Sequence, residues 1–359
     1  MAVHFHTLTV KKINKETADC VSVTFAVPPQ LQSAFTFEHG QNITLKKNIN
    51  GAEIRRSYSI CSAPYENELK VAIKKVPGGK FSTYANEILQ EGNTIEVLPP
   101  TGKFNTPLHK QNRKNYLAIA AGSGITPVIS IIKTALQTEP LSSFTLVFCN
   151  RSRSSIIFFE ELEGLKNKYL QRLNFINILS REKTDSSINY GRIDGEKLTT
   201  LSALINYKAI DAFFICGPVE MIFCVKDFLE NKGIEKKKIH FELFGTPEKK
   251  QTAISNLKSI TKSTAIKSNI TIKLDGRSFD FELGFNEGNI LDAALQQGAD
   301  LPYACKGGVC CTCKARLLEG EVKMDVNWGL EQEEVDQGFI LTCQSHPKTE
   351  KVTVDFDIK

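Results

Sequence analysis

Apolar and polar positions alternate through the first hundred residues. Within Glu68–Val76, Leu69, Val71 and Ile73 share one face opposite Lys70, Ala72 and Lys74. That period of two belongs to a strand with one buried face. Cys20–Phe25 and Asn42–Leu45 repeat it, and the N-terminal MAVHFHTLTVKK alternates as well. Turns punctuate the runs at Pro28-Pro29, Asn50-Gly51 and Pro77-Gly78-Gly79. An antiparallel barrel or sandwich is expected, with one short helix at Phe81–Leu89 and an end at Pro99-Pro100-Thr101-Gly102.

Residues 115–245 keep a different rhythm. Apolar runs at Tyr116–Ala121, Phe144–Cys149, Leu173–Leu179, Asp211–Cys216 and Ile239–Leu243 alternate with helix-like stretches near Pro127–Leu136, Phe158–Leu170, Glu196–Ile205 and Pro218–Lys232. Buried strands alternating with helices imply a doubly wound parallel sheet. Pro127 and Pro218 suit the first turn of a helix, where a missing N–H costs nothing. Residues 246–266, TPEKKQTAISNLKSITKSTAI, are polar and without strong period, the best linker candidate. Alternation then resumes. Ile270–Leu274 and Phe279–Leu283 predict a hairpin joined at Asp275-Gly276-Arg277-Ser278, followed by a helix at Ile290–Gln297 and a last strand at Val352–Phe356. The expected fold is multidomain: an antiparallel β-barrel over 1–107, an α/β doubly wound domain over 108–245, a linker over 246–266 and an α+β module over 267–359.

Length agrees, since 359 residues at roughly 150 per domain give two or three domains. The longest apolar runs hold about six residues, whereas a membrane helix needs about 20. The N-terminus lacks the apolar core, about 7–15 residues long, of a signal peptide. No membrane partner is expected, and the cytoplasm is the default compartment. The net charge of +5 is unevenly spread: 267–359 carry 10 Lys/Arg against 16 Asp/Glu, and the preceding 266 residues carry 35 against 24. An acidic module on a basic body lacks the basic stripe of a nucleic-acid binder.

Cysteine narrows the chemistry. Five of the ten cysteines fall in the last 55 residues, and in a reducing compartment such clusters bind metal or do redox work. Cys305-x4-Cys310-x2-Cys313 is followed after 29 residues by Cys343. This is the spacing of a plant-type 2Fe–2S loop, with two thiolates for each iron. Gly307-Gly308 lets the backbone aim N–H groups at sulfur. Cys311 is a fifth thiol that the spacing leaves outside the ligand set. The competing reading, structural zinc, favours two paired short knuckles, and only Cys310/Cys313 form one.

Two further motifs suit nucleotide cofactors. Arg56-Ser57-Tyr58-Ser59 offers a fixed cation for a diphosphate, a flat ring and a hydroxyl for a ring nitrogen. Gly79-Lys80-Phe81-Ser82 then opens a helix N-terminus, where phosphate is welcome. Ala121-Gly122-Ser123-Gly124-Ile125-Thr126-Pro127 lies between a strand and a helix, the context that phosphate binding requires. Asn150-Arg151, Ser180-Arg181 and Cys216-Gly217-Pro218 end later strands of the same sheet. Ligands of such sheets bind outside the carboxyl ends of strands. Arg151 and Arg181 suit a 2′-phosphate better than a ribose diol.

In this order, Arg-x-Tyr-Ser, Gly-Gly-x-x-Ser, Gly-x-Gly-x-Thr-Pro and Cys-Gly-Pro resemble the ferredoxin-NADP reductase superfamily. The C-terminal cysteine module resembles the reductases of multicomponent oxygenases. DLPYACKGGVCCTCKARLLEGEV and MDVNWGLEQEEVDQGFILTCQSHP are similar to the reductases of ring-1,2-phenylacetyl-CoA epoxidases. The resemblance implies an FAD domain, an NAD(P) domain and a β-grasp ferredoxin domain. It implies FAD at Arg56, Tyr58, Ser59, Gly79 and Ser82, with Phe244 over the flavin. It implies nicotinamide nucleotide at Gly122, Gly124, Thr126, Cys216, Gly217 and Pro218, and NADPH rather than NADH through Arg151, Ser180 and Arg181. Ser59, Thr126 and Cys216 are then the residues beside the reacting rings. Cys305, Cys310, Cys313 and Cys343 are the iron ligands. The expected activity is NADPH-dependent electron transfer through FAD and a 2Fe–2S cluster to a partner oxygenase, the di-iron phenylacetyl-CoA epoxidase. A reductase for another hydroxylase, a desaturase or a hybrid-cluster protein is the alternative. A redox sensor fits less well, because it has no need of the Gly-Ser-Gly-Ile-Thr-Pro and Cys-Gly-Pro pair.

Overall fold

The computed structural model describes residues 4–244, 267–285 and 287–358. The expected linker at 246–266 lies outside the described residues. The chain divides into two units, one of them Phe5–Phe244 and the other built on the residues from 267 onward.

Six strands open the first unit: β1 (His6–Thr17), β2 (Cys20–Ala26), β3 (Asn42–Ile49), β4 (Ala52–Ser59), β5 (Leu69–Lys74) and β6 (Thr94–Val97). They form one antiparallel sheet in the order β4-β3-β6-β1-β2-β5. An Ile60–Val71 bridge closes it into a barrel. Leu8, Val10, Val23, Ile43, Leu45, Val71 and Ile73 fill the interior, with Phe81 from helix α1 (Lys80–Glu87). The helix predicted at Phe81–Leu89 is therefore present, shifted slightly toward the N-terminus. The barrel has another face that is not solvated. Cys20, Cys61 and Ala72 join the core of the next domain, which is why β2 is buried along almost its whole length.

That domain is the expected parallel sheet. Its strands are β7 (Asn115–Ala121), β8 (Ser143–Asn150), β9 (Leu173–Leu179), β10 (Ala212–Cys216) and β11 (Ile239–Glu242), in the order β11-β10-β7-β8-β9. All four pairings are parallel. The helices are α2 (Ile125–Thr138), α3 (Phe159–Lys168), α4 (Gly195–Leu201) and α5 (Val219–Asn231). Strand order reverses at β7, so the turns after β7 and β10 open the crevice where such sheets bind ligands. Pro127 lies in the first turn of α2 as expected, whereas Pro218 is the residue before α5 and not inside it.

An ion-paired seam also joins barrel and sheet domain. Lys133 of α2, 2% exposed, reaches Glu66 and Glu161 at 2.8 Å each, and Glu161 also faces Lys70 at 3.7 Å. A buried ammonium is tolerated because two carboxylates meet it.

The second unit contains β12 (Lys267–Leu274), β13 (Arg277–Gly284), α6 (Ile290–Gln296), β14 (Lys314–Glu319), β15 (Val322–Met324), α7 (Gln332–Asp336), β16 (Phe339–Leu341), β17 (Ser345–Pro347) and β18 (Lys351–Asp355). The main sheet runs β13-β12-β18-β14-β16, with β12 and β18 parallel and the other pairs antiparallel, a β-grasp arrangement. The β12–β13 hairpin turns on two residues, Asp275 and Gly276, rather than the four expected. Both have positive φ, +53° and +68°, as a type I′ turn demands. No helix among the described residues is long and apolar enough to cross a membrane.

Candidate functional site

A pocket of about 300 Å³ lies between the barrel and the first turn of α2. Arg56, Tyr58 and Ser59 of β4, Gly79 and Ser82 at the start of α1, Thr126 of α2 and Phe244 all line it. Seven of the predicted site residues thus share one wall system. Lys74, Lys80 and Ser123 join them. Tyr58 and Phe244 bring aromatic rings to the lining, and Arg56, Lys74 and Lys80 bring cationic side chains of the kind that meet a diphosphate. This donor set suits FAD. A wider groove of about 920 Å³, bounded by Lys70, Arg153 and Glu161, is lined by none of the predicted residues.

Two hydroxyls in the pocket are already engaged. Ser59 Oγ donates to Glu242 Oε2 at 2.7 Å, so it offers lone pairs rather than its proton to the pocket. Ser82 Oγ donates to Gly79 O at 3.2 Å and accepts from Val76 N–H at 3.2 Å. Ser82 holds the glycine turn in shape. A Cβ at Gly79 would lie 2.4 Å from that oxygen, so the glycine is required by the turn itself. Enclosure raises the Glu242 pKa to about 7, against the lowering effect of the Ser59 hydrogen bond. Cys216 is fully buried behind the pocket rather than on its wall. Its burial, with Glu242 nearby, pushes the thiol well above its ordinary range, so it is a neutral thiol.

The switch-point crevice collects the other predicted groups. Gly122 has φ +54° and open space where a Cβ would stand, the free backbone surface that a close-lying nucleotide needs. Gly124 differs: a Cβ there would come within 2.0 Å of the Cys216 carbonyl. Gly217 is tight as well, since a Cβ there would lie 3.1 Å from Ala121 Cβ and 3.2 Å from Ala121 N. These two glycines allow the turns after β7 and β10 to touch. Thr126 Oγ1 donates to Ser123 O at 3.0 Å and closes the turn. On the other side, Ser180 N–H donates to Asn150 O at 2.8 Å and Arg181 N–H to Arg151 O at 2.9 Å. The rungs carry both arginines outward on adjacent loops, each exposed. Glu182 fixes the same pair of loops by accepting from Arg153 N–H at 2.8 Å.

In the second unit the four predicted ligands form two facing pairs, Cys305 with Cys310 and Cys313 with Cys343. In each pair one sulfur is the better anion. The hydrogen bond from Cys310, helped by the Gly307 N–H, holds the Cys305 thiol below its ordinary range, and Cys313 lowers Cys343 in the same way. Among the described residues no three His, Cys, Asp or Glu side chains converge as a single metal ion requires. Two thiol pairs lined by N–H groups suit a two-iron cluster better than one zinc ion. Cys311 points elsewhere. Its Sγ bonds Gly329 O at 2.9 Å and its φ is +55°, so it ties the loop to the segment that wraps it. Cys313 and Cys343 are buried, whereas Cys305 is exposed.

Comparison with known proteins follows this division. Residues 7–106 match the oxidoreductase FAD-binding domain, 118–227 the oxidoreductase NAD-binding domain and 272–348 the 2Fe-2S iron-sulfur cluster binding domain. The chain is 48% identical over 356 residues to a component of the 1,2-phenylacetyl-CoA epoxidase of Escherichia coli (strain K12), covering 99% of this chain and 98% of that one. The chain belongs to the oxygenase reductases of the ferredoxin-NADP reductase superfamily. Within that family it is also 34% identical to the ferredoxin reductase component of 3-ketosteroid-9-alpha-monooxygenase from Rhodococcus rhodochrous, over 97% of this chain and 96% of that one. The fold matches phthalate dioxygenase reductase at a TM-score of 0.59 and 24% identity, covering 98% of both chains. As a member of this family it is an oxidoreductase that moves electrons through FAD and a 2Fe–2S cluster.

Sequence reasoning missed Glu242, although an acid inside the apolar run Ile239–Leu243 was a usable signal, since an enclosed carboxylate needs a partner. Lys74 and Lys80 carried no signal beyond their place beside the glycine turn.

Proposed function

We propose that the chain is the NADPH-dependent reductase component of a di-iron phenylacetyl-CoA epoxidase, working in the cytoplasm. The observation that carries the reading is the whole-length likeness to the E. coli epoxidase component. When bound, the flavin takes a hydride from reduced nicotinamide and the cluster passes single electrons onward.

The residues divide the work. Arg56, with Lys74 and Lys80, would hold the FAD diphosphate, while Tyr58 and Phe244 would flank the ring. Ser59, oriented by Glu242, would present its lone pairs to the ring edge. Gly122 would admit the coenzyme backbone, Thr126 would keep the turn closed, the close contacts at Gly124 and Gly217 would set Cys216 beside the nicotinamide, and Pro218 would open α5 at the same edge. Ser180, Arg181 and Arg151 would seat the 2′-phosphate. Cys305, Cys310, Cys313 and Cys343 would ligate the irons, and the exposed Cys305 side would face the oxygenase. The working division is 1–107 for flavin, 108–245 for coenzyme, 246–266 as connector and 267–359 for the cluster.

Coenzyme choice is tested with Arg181→Ala. A charge-assisted phosphate contact is worth about 1.5–3 kcal/mol, so kcat/KM for NADPH should fall roughly ten- to hundredfold while that for NADH holds. An unchanged ratio removes the arginine from the phosphate seat. The partner is tested by mixing the chain with the oxygenase subunits of a phenylacetyl-CoA epoxidase. NADPH-driven loss of phenylacetyl-CoA is expected. Cytochrome c reduction without substrate loss would leave the electron path standing and reject the partner.

A further inference from the structure

Gln344 follows the last ligand and reaches back to the residue after the first. Its Nε2 donates to Lys306 O at 3.0 Å and to Cys343 O at 2.9 Å, and it lies 3.7 Å from Cys343 Sγ. Two carbonyl oxygens fix which end of the amide points inward, because only the NH2 group can meet both. One side chain therefore spans the loop that carries Cys305 and the turn that carries Cys343. Its stem is held as well. A Cβ on Gly308 would lie 3.1 Å from Gln344 Cγ and 3.0 Å from Val326 Cγ2. Gln344 O accepts from Asp325 N–H at 2.9 Å. The segment around Asp325–Gly329 closes the cradle further, with Trp328 N–H donating to Gly308 O at 3.0 Å.

We propose that Gln344 is a positioning residue that raises the reduction potential of the cluster, by holding its amide N–H dipoles beside Cys343 and the Cys305 loop. The proposal rests on the reading that the four cysteines hold a 2Fe–2S cluster. Reduction adds negative charge to the site, and a fixed donor beside a ligand sulfur favours the more negative state. Hydrogen bonding around the sulfurs is one of the protein's levers on that potential.

The test is potentiometric titration of the intact protein, followed by the EPR signal of the reduced cluster, with three substitutions. Gln344→Met keeps length and volume but has no donor. Gln344→Glu keeps the shape and replaces the donor by a carboxylate. Gln344→Lys keeps an N–H donor of similar reach. The potential should fall in the Met variant, fall further in the Glu variant and not fall in the Lys variant. A lost net hydrogen bond corresponds to about a three- to tenfold drop in the ratio of reduced to oxidised cluster at fixed potential. The Glu and Lys variants show the response to charge alone, so the fall in the neutral Met variant is the result that separates the amide's role from a structural one. Coincident potentials across the series, or a rise in the Met variant, overturn the proposal while leaving the cluster reading intact. Should the Met variant lose its cluster, the neutral Gln344→Leu is titrated in its place, and a potential equal to the parent's rejects the role. A parent protein with no iron and no EPR signal overturns both readings.

Discussion

Cys311 and Cys343, which spacing already placed outside and inside the ligand set, part by geometry as well. Cys343 is buried and faces Cys313, whereas Cys311 bonds the Gly329 carbonyl. Cys343→Ser should abolish the cluster absorbance, while Cys311→Ser should retain most of it and lose only a loop anchor worth about 1 kcal/mol. Equal loss in both, read from iron and acid-labile sulfide, would reject the ligand assignment. Glu242 gives a second prediction at this scale. Its folded pKa of about 7 lies above its ordinary value of 4.5. The carboxyl is therefore accommodated without cost below about pH 4.5, and stability is lost as pH rises through 7. Glu242→Gln removes that loss, so the variant should gain on the order of 1–3 kcal/mol above pH 7 and little at pH 5. Urea unfolding at both pH values measures it, and a gain independent of pH contradicts the assignment. The cysteine ligands were legible because their spacing is a property of the chain. Glu242 was not, because its partner Ser59 is 183 residues away.

Elements were legible where one period runs unbroken. β9 matches its expected run, and β7, β8, β10 and β11 match theirs to within a residue. Buried parallel strands keep their apolar runs because both faces are covered. β1 extends to Thr17, well beyond the alternating stretch, because register shifts at Val10/Lys12 and Lys15/Thr17 interrupt its pairing with β2. A bulge changes which face a residue takes, so periodicity hides the strand. β14, KARLLE, and the five-residue α7 went unread for a related reason. Their placement comes from pairing with β16 and β18 and from the cluster loop, not from local pattern. The Lys133 seam ties α2 to α3 and to the short turn at Glu66, across two domains, and it too is invisible in sequence. Lys133→Met should destabilise the protein by about 3 kcal/mol, the low end for breaking a buried pair, because Glu66 and Glu161 keep 29% and 31% exposure. A loss near zero in urea titration would show that the two carboxylates find water instead.

At the scale of the molecule, each unit closes a core of its own. The barrel and the parallel sheet share Cys20, Cys61 and Ala72 within one packed body, whereas Ile270, Leu291, Leu341 and Val354 belong to a separate core that also encloses Cys313 and Cys343. The charge contrast read from sequence follows the same division, acidic in 267–359 and basic before it. Three-domain order was legible because each domain announces itself with a different period and motif. The distances between cofactors were not, since they belong to tertiary structure. One claim carries the rest: electrons from reduced nicotinamide nucleotide reach a 2Fe–2S cluster on the same chain. Anaerobic addition of NADPH to the purified protein, followed by low-temperature EPR with flavin, iron and sulfide counted on the same sample, tests it directly. One FAD, two irons and two sulfides per chain are expected, with the signal of a reduced 2Fe–2S cluster after NADPH. Zinc in place of iron, or a cluster that dithionite reduces but neither NADPH nor NADH does, would contradict it.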